Sequence, residues 1–126
     1  MALRCLIVDD SPTFLQEARE LLEEDGISVV GIARSGEEAI RRARELRPDV
    51  ALVDIDVGGE SGFAVVRRLA GQGGPVRNVI LISSHAEEEF AELIEVSPAL
   101  GFLAKAELGA EAIEGLLAAG RQRELD

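Results

Sequence analysis

Short apolar runs alternate five times with helical patterns along this chain, and that alternation restricts the fold more than any other feature. The runs are Leu3–Val8, Ile27–Ala33, Val50–Val53, Val79–Ile82 and Gly101–Ala104. Most are continuously apolar, as strands covered on both faces are. The second is interrupted by Ser28 and Gly31 and is expected at a sheet edge. Between the runs, Ser11-Pro12 reads as an N-cap followed by proline at the first helical position, with Phe14, Ala18, Leu21 and Leu22 marking one face. Ser35 through Glu38 fits a capping box, and Ala39, Ile40, Ala43 and Leu46 follow it. Phe63, Val66 and Leu69 mark a third helix, Phe90, Leu93 and Ile94 a fourth, and Ile113, Leu116 and Leu117 a fifth. Pro48, Gly73-Gly74-Pro75 and Pro98 fall between elements, where chain breakers belong. The pattern predicts an α/β fold, a doubly wound five-stranded parallel sheet with right-handed crossovers.

A length of 126 residues gives one domain, 1–126, large enough to bury a core without disulfide or structural metal. The formal net charge of −11 works against direct nucleic-acid binding, which needs a cationic face to displace counterions. With four Phe and no Trp or Tyr there is little to stack on bases. The single Cys5 lies in the first apolar run and is expected to fill the core; alone it forms no internal disulfide, which fits the cytosol. That run is stopped by Asp9-Asp10, too early for a signal peptide. No apolar stretch approaches the roughly 20 residues of a membrane span. A cytoplasmic location away from membranes is expected.

In a doubly wound sheet ligands bind beyond the carboxyl ends of the strands. Here the first run ends at Asp9-Asp10, the third at Asp54 with Asp56 following, the fourth at Ser83-Ser84 and the fifth at Lys105. Singly, each fits a solvated turn or a helix cap equally well. Together, carboxylates on one rim repel each other unless some are protonated or a cation lies among them. Oxygen donors without cysteine or histidine suit a hard divalent ion, Mg²⁺, which commonly bridges to phosphate oxygens. Lys105 is the only lysine among 13 cationic side chains. A lone lysine at a strand end points to work for a compact ammonium, such as pairing with a carboxylate and a phosphoryl oxygen. Ser83 adds a hydroxyl donor. There is no glycine-rich phosphate loop, and His85 is the only histidine, so no Ser–His–Asp arrangement is defensible.

These residues resemble the receiver domains of two-component response regulators. The resemblance spans essentially the whole chain and is carried by Leu6-Ile7-Val8-Asp9-Asp10-Ser11-Pro12, Val53-Asp54-Ile55-Asp56 and Gly101-Phe102-Leu103-Ala104-Lys105. It implies a flavodoxin-like sheet of order 2-1-3-4-5. It implies that Asp54 is the phosphoacceptor and that Mg²⁺ is held by Asp9, Asp10, Asp54 and the backbone carbonyl of Asp56. Ser83 and Lys105 would stabilise the phosphoryl group, and Phe102 would be the switch aromatic. The donor would be a phosphohistidine on a histidine kinase or phosphotransfer protein. The signal would pass to a protein partner through the face of the fourth helix, fifth strand and fifth helix. Such a domain assists its own phosphorylation and dephosphorylation without being a turnover enzyme.

The chain departs from the family pattern at three places. Gly58-Gly59 stands where many members have proline soon after the acceptor, so a more mobile loop is expected. Ala106 replaces the proline, usually cis, that often follows the lysine, so a trans bond is expected. Phe102 lacks the hydroxyl of the tyrosine often found there. Asp56 and His85 border the path of the water that hydrolyses an acyl phosphate in this family, and a pairing of the two across the mouth of the site would modulate hydrolysis. Because the chain ends soon after the fifth helix, no output domain is expected.

Two other readings stand beside this one. Asp54-Ile55-Asp56 also resembles the D-x-D nucleophile motif of haloacid-dehalogenase-type phosphatases, but there the acidic metal pair follows the lysine, and here it precedes everything. A pseudo-receiver would use the same fold only for binding, and the full set of site residues argues against it.

Overall fold

The computed structural model describes residues 2–85 and 87–125. Five parallel strands form its main sheet: β1 (Arg4–Val8), β2 (Ser28–Ala33), β3 (Val50–Asp54), β4 (Val79–Ser83) and β5 (Gly101–Ala104). Their order is β2-β1-β3-β4-β5, the expected one, with β2 at an edge. Five helices alternate with them: α1 (Pro12–Glu24), α2 (Gly36–Leu46), α3 (Gly62–Ala70), α4 (Ala91–Val96) and α5 (Ala110–Leu125).

The continuous apolar runs follow from a core on each side of the sheet. Successive strand residues point to opposite faces. Leu6, Val8, Ala51, Val53, Val79 and Leu81 pack with Ala39, Ile40 and Ala43 of α2 and Phe63, Val66 and Leu69 of α3. Cys5, Ile7, Val50, Leu52, Ile80 and Ile82 pack with Leu15, Ala18 and Leu22 of α1 and Ile113 and Leu117 of α5. Only an element covered twice needs apolar residues at every position. The edge strand β2 instead alternates buried and half-buried residues. Its pairing with β1 slips by one residue, so that Cys5 faces Val29 while Leu6 faces Gly31. The Cys5 thiol is fully buried, and burial pushes its pKa up to about 12, which leaves it an inert filler.

Both helix-capping signals in the sequence form in the structure. The Ser11 hydroxyl accepts from the Phe14 N–H at 3.3 Å, and Pro12 opens α1. The Ser35 hydroxyl accepts from the Glu38 N–H at 3.1 Å, but the Glu38 carboxylate reaches back to the N–H of Arg34 at 2.7 Å and not to that of Ser35. Two features of the helices differ from expectation. Leu21 is 41% exposed, so the packing face of α1 runs through Leu15, Ala18 and Leu22. The fourth helical segment is a 3₁₀ turn, Glu87–Phe90, followed by only six α-helical residues; Leu93 is 52% exposed and Val96 81%. Phe90 stands at its N-cap and offers no oxygen to the first N–H groups, and Pro98 lies just beyond its end, so the helix is short at both ends. The segment after Asp54 forms a two-stranded ribbon, which the sequence did not announce. Asp56–Val57 pairs antiparallel with Glu60–Ser61, and Gly58 (φ 59°) and Gly59 (φ 87°) make the turn. Positive φ at both central residues is the pattern of a type I′ hairpin, which glycine adopts without strain.

The bond to Ala106 is trans, as expected. Among the described residues, no helix is long and apolar enough to cross a membrane.

Candidate functional site

Strand ends bring the site together. Asp9 follows β1 directly, and its N–H donates to the Ala33 carbonyl at 3.0 Å. Its side chain is fully buried. Oδ1 accepts from the Ser11 N–H at 2.9 Å, which ties the carboxylate to the start of α1. Oδ2 lies 2.6 Å from the Lys105 Nζ, yet the contact is poorly directed, so this buried oxygen has no aligned hydrogen-bond donor. Asp10 is exposed on the rim. Asp54 is the last residue of β3 and is 14% exposed. Its Oδ2 accepts from Lys105 Nζ at 3.1 Å and its Oδ1 from the Asp56 N–H at 3.3 Å.

Asp9, Asp10 and Asp54 each bring one carboxylate oxygen within 4.8 Å of the others. Such crowding is unfavourable without a cation. Burial, with the negative charge of Asp9 in support, raises the Asp54 pKa above its ordinary 3.8, against the pull of Lys105. Burial alone would lower Lys105, but the pairing with Asp9 and Asp54 outweighs it and raises the ammonium. One lysine against three carboxylates leaves negative charge over. The oxygen-only donors therefore fit a small hard divalent cation.

The ring of Phe14 covers Lys105, with Nζ 4.1 Å from its centroid. An aromatic face attracts an ammonium and shields it from water. The sequence placed Phe14 only on the packing face of α1. The available hint was that helical side chains lean toward the helix N-terminus, which here is the site.

Ser83 ends β4, is buried, and its hydroxyl accepts from the His85 N–H at 2.9 Å. Phe102, in β5, is half-buried against the core on the α2–α3 side. His85 stands apart from the carboxylates. Its side chain is 68% exposed, with Nδ1 3.6 Å from Glu89 Oε2 and the ring edge-on to Phe90. Asp56 Oδ1 accepts from the Gly59 N–H at 3.0 Å. In this unphosphorylated structure His85 and Asp56 each make a local contact, His85 with Glu89 and Asp56 with Gly59.

Residues 5–116 match the model of the response regulator receiver domain family. The response regulator GacA of Pseudomonas viridiflava is 33% identical over 115 residues, covering 90% of this chain and 53% of that protein. A protein-glutamate methylesterase/protein-glutamine glutaminase of Myxococcus xanthus is 35% identical over 88% of this chain and 35% of its own length. The chain thus spans about half of the first relative and about a third of the second. Among solved structures, the signal receiver domain of the putative response regulator NarL from Mycobacterium tuberculosis superposes with a TM-score of 0.80 at 30% identity, over 95% of this chain and 97% of that one. A LuxR-family two-component response regulator from Aurantimonas gives a TM-score of 0.82 at 31% identity, over 94% and 87% of the two chains.

Proposed function

The chain belongs to the response regulator receiver domain family, and on that premise we propose that it accepts a phosphoryl group on Asp54 from a phosphohistidine of a histidine kinase or phosphotransfer protein. The observation that carries the proposal is the position of the Asp54 carboxylate. It lies at a strand end, shares Lys105 with the buried Asp9, and stands in a cluster of three carboxylates whose mutual repulsion a divalent cation would relieve. A carboxylate oxygen of Asp54 attacks phosphorus in line. The O–P bond forms as the P–N bond to the donor imidazole breaks, and the imidazole nitrogen keeps the electron pair. Lys105, already aimed at Asp54 Oδ2, meets the charge on the phosphoryl oxygens. Asp9, Asp10, Asp54 and the backbone carbonyl of Asp56 would hold Mg²⁺, which would supply further neutralisation of that charge.

The acyl phosphate gives the Ser83 hydroxyl, now accepting from His85 N–H, a stronger partner. Movement of the segment after β4 lets Phe102 turn further into the core. This is a two-state element biased by a change of charge. The face of α4, β5 and α5 then presents a different surface to a downstream protein. The receiver unit extends over 1–126, of which Met1, Ala86 and Asp126 lie outside the described residues. Its place of action is the cytoplasm.

Incubation with acetyl phosphate tests the reading. Intact-mass analysis is expected to show one added phosphoryl group per chain, dependent on Mg²⁺. Sustained turnover of a phosphate ester would favour the phosphatase reading, and no uptake under any condition the pseudo-receiver. Within the same reading, Asp10→Ala is expected to weaken Mg²⁺ binding at least tenfold, the usual scale for a lost charged ligand, while Glu17→Ala on the exposed side of α1 leaves it unchanged. Equal effects in a calorimetric titration would remove the acidic pair from the metal site.

A further inference from the structure

The ribbon after Asp54 is fastened to a different element of the fold. The Gly36 N–H, at the first position of α2, donates to Glu60 Oε1 at 2.9 Å. A Cβ on residue 36 would stand 2.6 and 2.7 Å from the two Glu60 carboxylate oxygens, so the carboxylate occupies the space a side chain would need. It also lies at the end of α2 where the helix dipole favours an anion. Glu60 pairs across the ribbon with Val57, which is buried, and Val57 follows Asp56. At the turn, Gly58 lies close to Asp10, its added Cβ falling 3.5 Å from Asp10 Cβ. One carboxylate thus links the start of α2 to the backbone that runs between Asp56 and Asp10. Two glycines at the turn make that backbone intrinsically loose, and proline, which would stiffen it, is absent between Asp54 and Gly62.

We propose that Glu60 is a positioning residue for the metal site: its bond to the N-terminus of α2 holds the ribbon so that the Asp56 carbonyl is preset for Mg²⁺. This rests on the reading that Asp56 lends its carbonyl to the cation. Glu60 touches neither cation nor phosphoryl group; it acts by removing the ordering cost that the cation would otherwise meet on binding.

Two independent substitutions release the clamp. Glu60→Ala removes the acceptor. Gly36→Ala keeps it but drives it out of its seat, and the three atoms nearest an added Cβ all belong to the movable end of the Glu60 side chain. Mg²⁺ affinity, measured by calorimetric titration of the folded, unphosphorylated protein, is expected to fall about three- to tenfold in either variant, the loss of one charge-assisted hydrogen bond to a backbone N–H. In the Glu60→Ala background Gly36→Ala is expected to add nothing, because both act on one contact. Glu60→Gln, which retains an acceptor oxygen, is expected to recover part of the affinity. The Mg²⁺ concentration for half-maximal phosphorylation should rise in step, while the rate at saturating Mg²⁺ stays at the parental value. Additive effects of the two substitutions, or parental affinity in both, overturn the clamp while leaving Asp54 phosphorylation intact. Failure of the parent itself to bind Mg²⁺ or take up phosphoryl overturns the underlying reading instead.

Discussion

Asp54→Asn is expected to accept no phosphoryl group at all and to be more stable than the parent. The first half follows from chemistry. An amide oxygen is a poor nucleophile toward phosphorus, and the neighbouring carboxylates do not replace it: Asp9 is buried against Lys105, and Asp10 is on the rim outside that pairing. The second half follows from linkage. Burial raises the Asp54 pKa above its ordinary value of 3.8, so the folded state holds this proton more tightly than the unfolded chain does. Its contribution favours folding below the unfolded value and turns against folding as pH rises through the raised one. At neutral pH the ionised carboxylate therefore opposes folding, and asparagine, nearly isosteric and neutral, relieves that cost. Lys105 keeps Asp9 as a partner. A higher Tm than the parent's is expected near pH 7. The gain should shrink as pH falls through the raised value, where the parent takes up its own proton. Acetyl phosphate labelling and thermal melts across pH check both halves. A variant that neither labels nor folds would show only that the residue is structural; one that labels like the parent would move the acceptor elsewhere.

The legibility of this chain differs between its parts for physical reasons. Strands covered on two faces carry apolar residues at every position, so β1, β3 and β4 stood out within a few residues of their observed limits. The site was legible for a related reason: a parallel sheet gathers the ends of its strands on one rim, so Asp9, Asp54, Ser83 and Lys105 could be assembled without knowing any distance. What sequence could not give is contact between elements. That Phe14 roofs Lys105, or that Glu60 seats on Gly36, depends on how α1 and α2 lie against the sheet, and no local pattern encodes that. The fourth helix was expected but its shortness was not, because the spacing of Phe90, Leu93 and Ile94 suits a helix of any length, whereas its ends are set by a missing cap and a proline. The ribbon after Asp54 was missed because two adjacent glycines fit both a loose loop and a type I′ turn, and only the pairing of Val57 with Glu60 decides between them.

The close fit between Asp54 and α3 leads to the other large expected effect. Gly62 opens α3, is buried, and its N–H donates to the Ile55 carbonyl at 2.6 Å. A Cβ at this position would overlap the Asp54 carbonyl oxygen and stand 2.8 Å from Ile55 Cα. Both obstacles are backbone, so neither can rotate away. One belongs to the last residue of β3, and its neighbours in that strand are fully buried; the helix behind Gly62 is fixed by Phe63, Val65, Val66 and Leu69 in the core. Helix propensity alone says that Gly→Ala stabilises by up to about 1 kcal/mol in a helix interior. The steric argument gives the opposite sign and a larger size, about 2–4 kcal/mol of destabilisation from overpacking against an immobile wall. Gly115 supplies the control. It lies within α5, is exposed, and has nothing within 4 Å of an added Cβ, so Gly115→Ala is expected to follow propensity and stabilise by about 0.5–1 kcal/mol. Urea unfolding of the two variants should therefore move the midpoint in opposite directions. Because relief at Gly62 can come only by displacing α3 or the end of β3, the Asp54 carboxylate moves with it, and the fraction of Gly62→Ala that remains folded is expected to label with acetyl phosphate at least tenfold more slowly than the parent, the scale on which misplaced reacting groups lose rate. A Gly62→Ala protein with parental stability and labelling would mean that α3 does not approach the acceptor strand this closely.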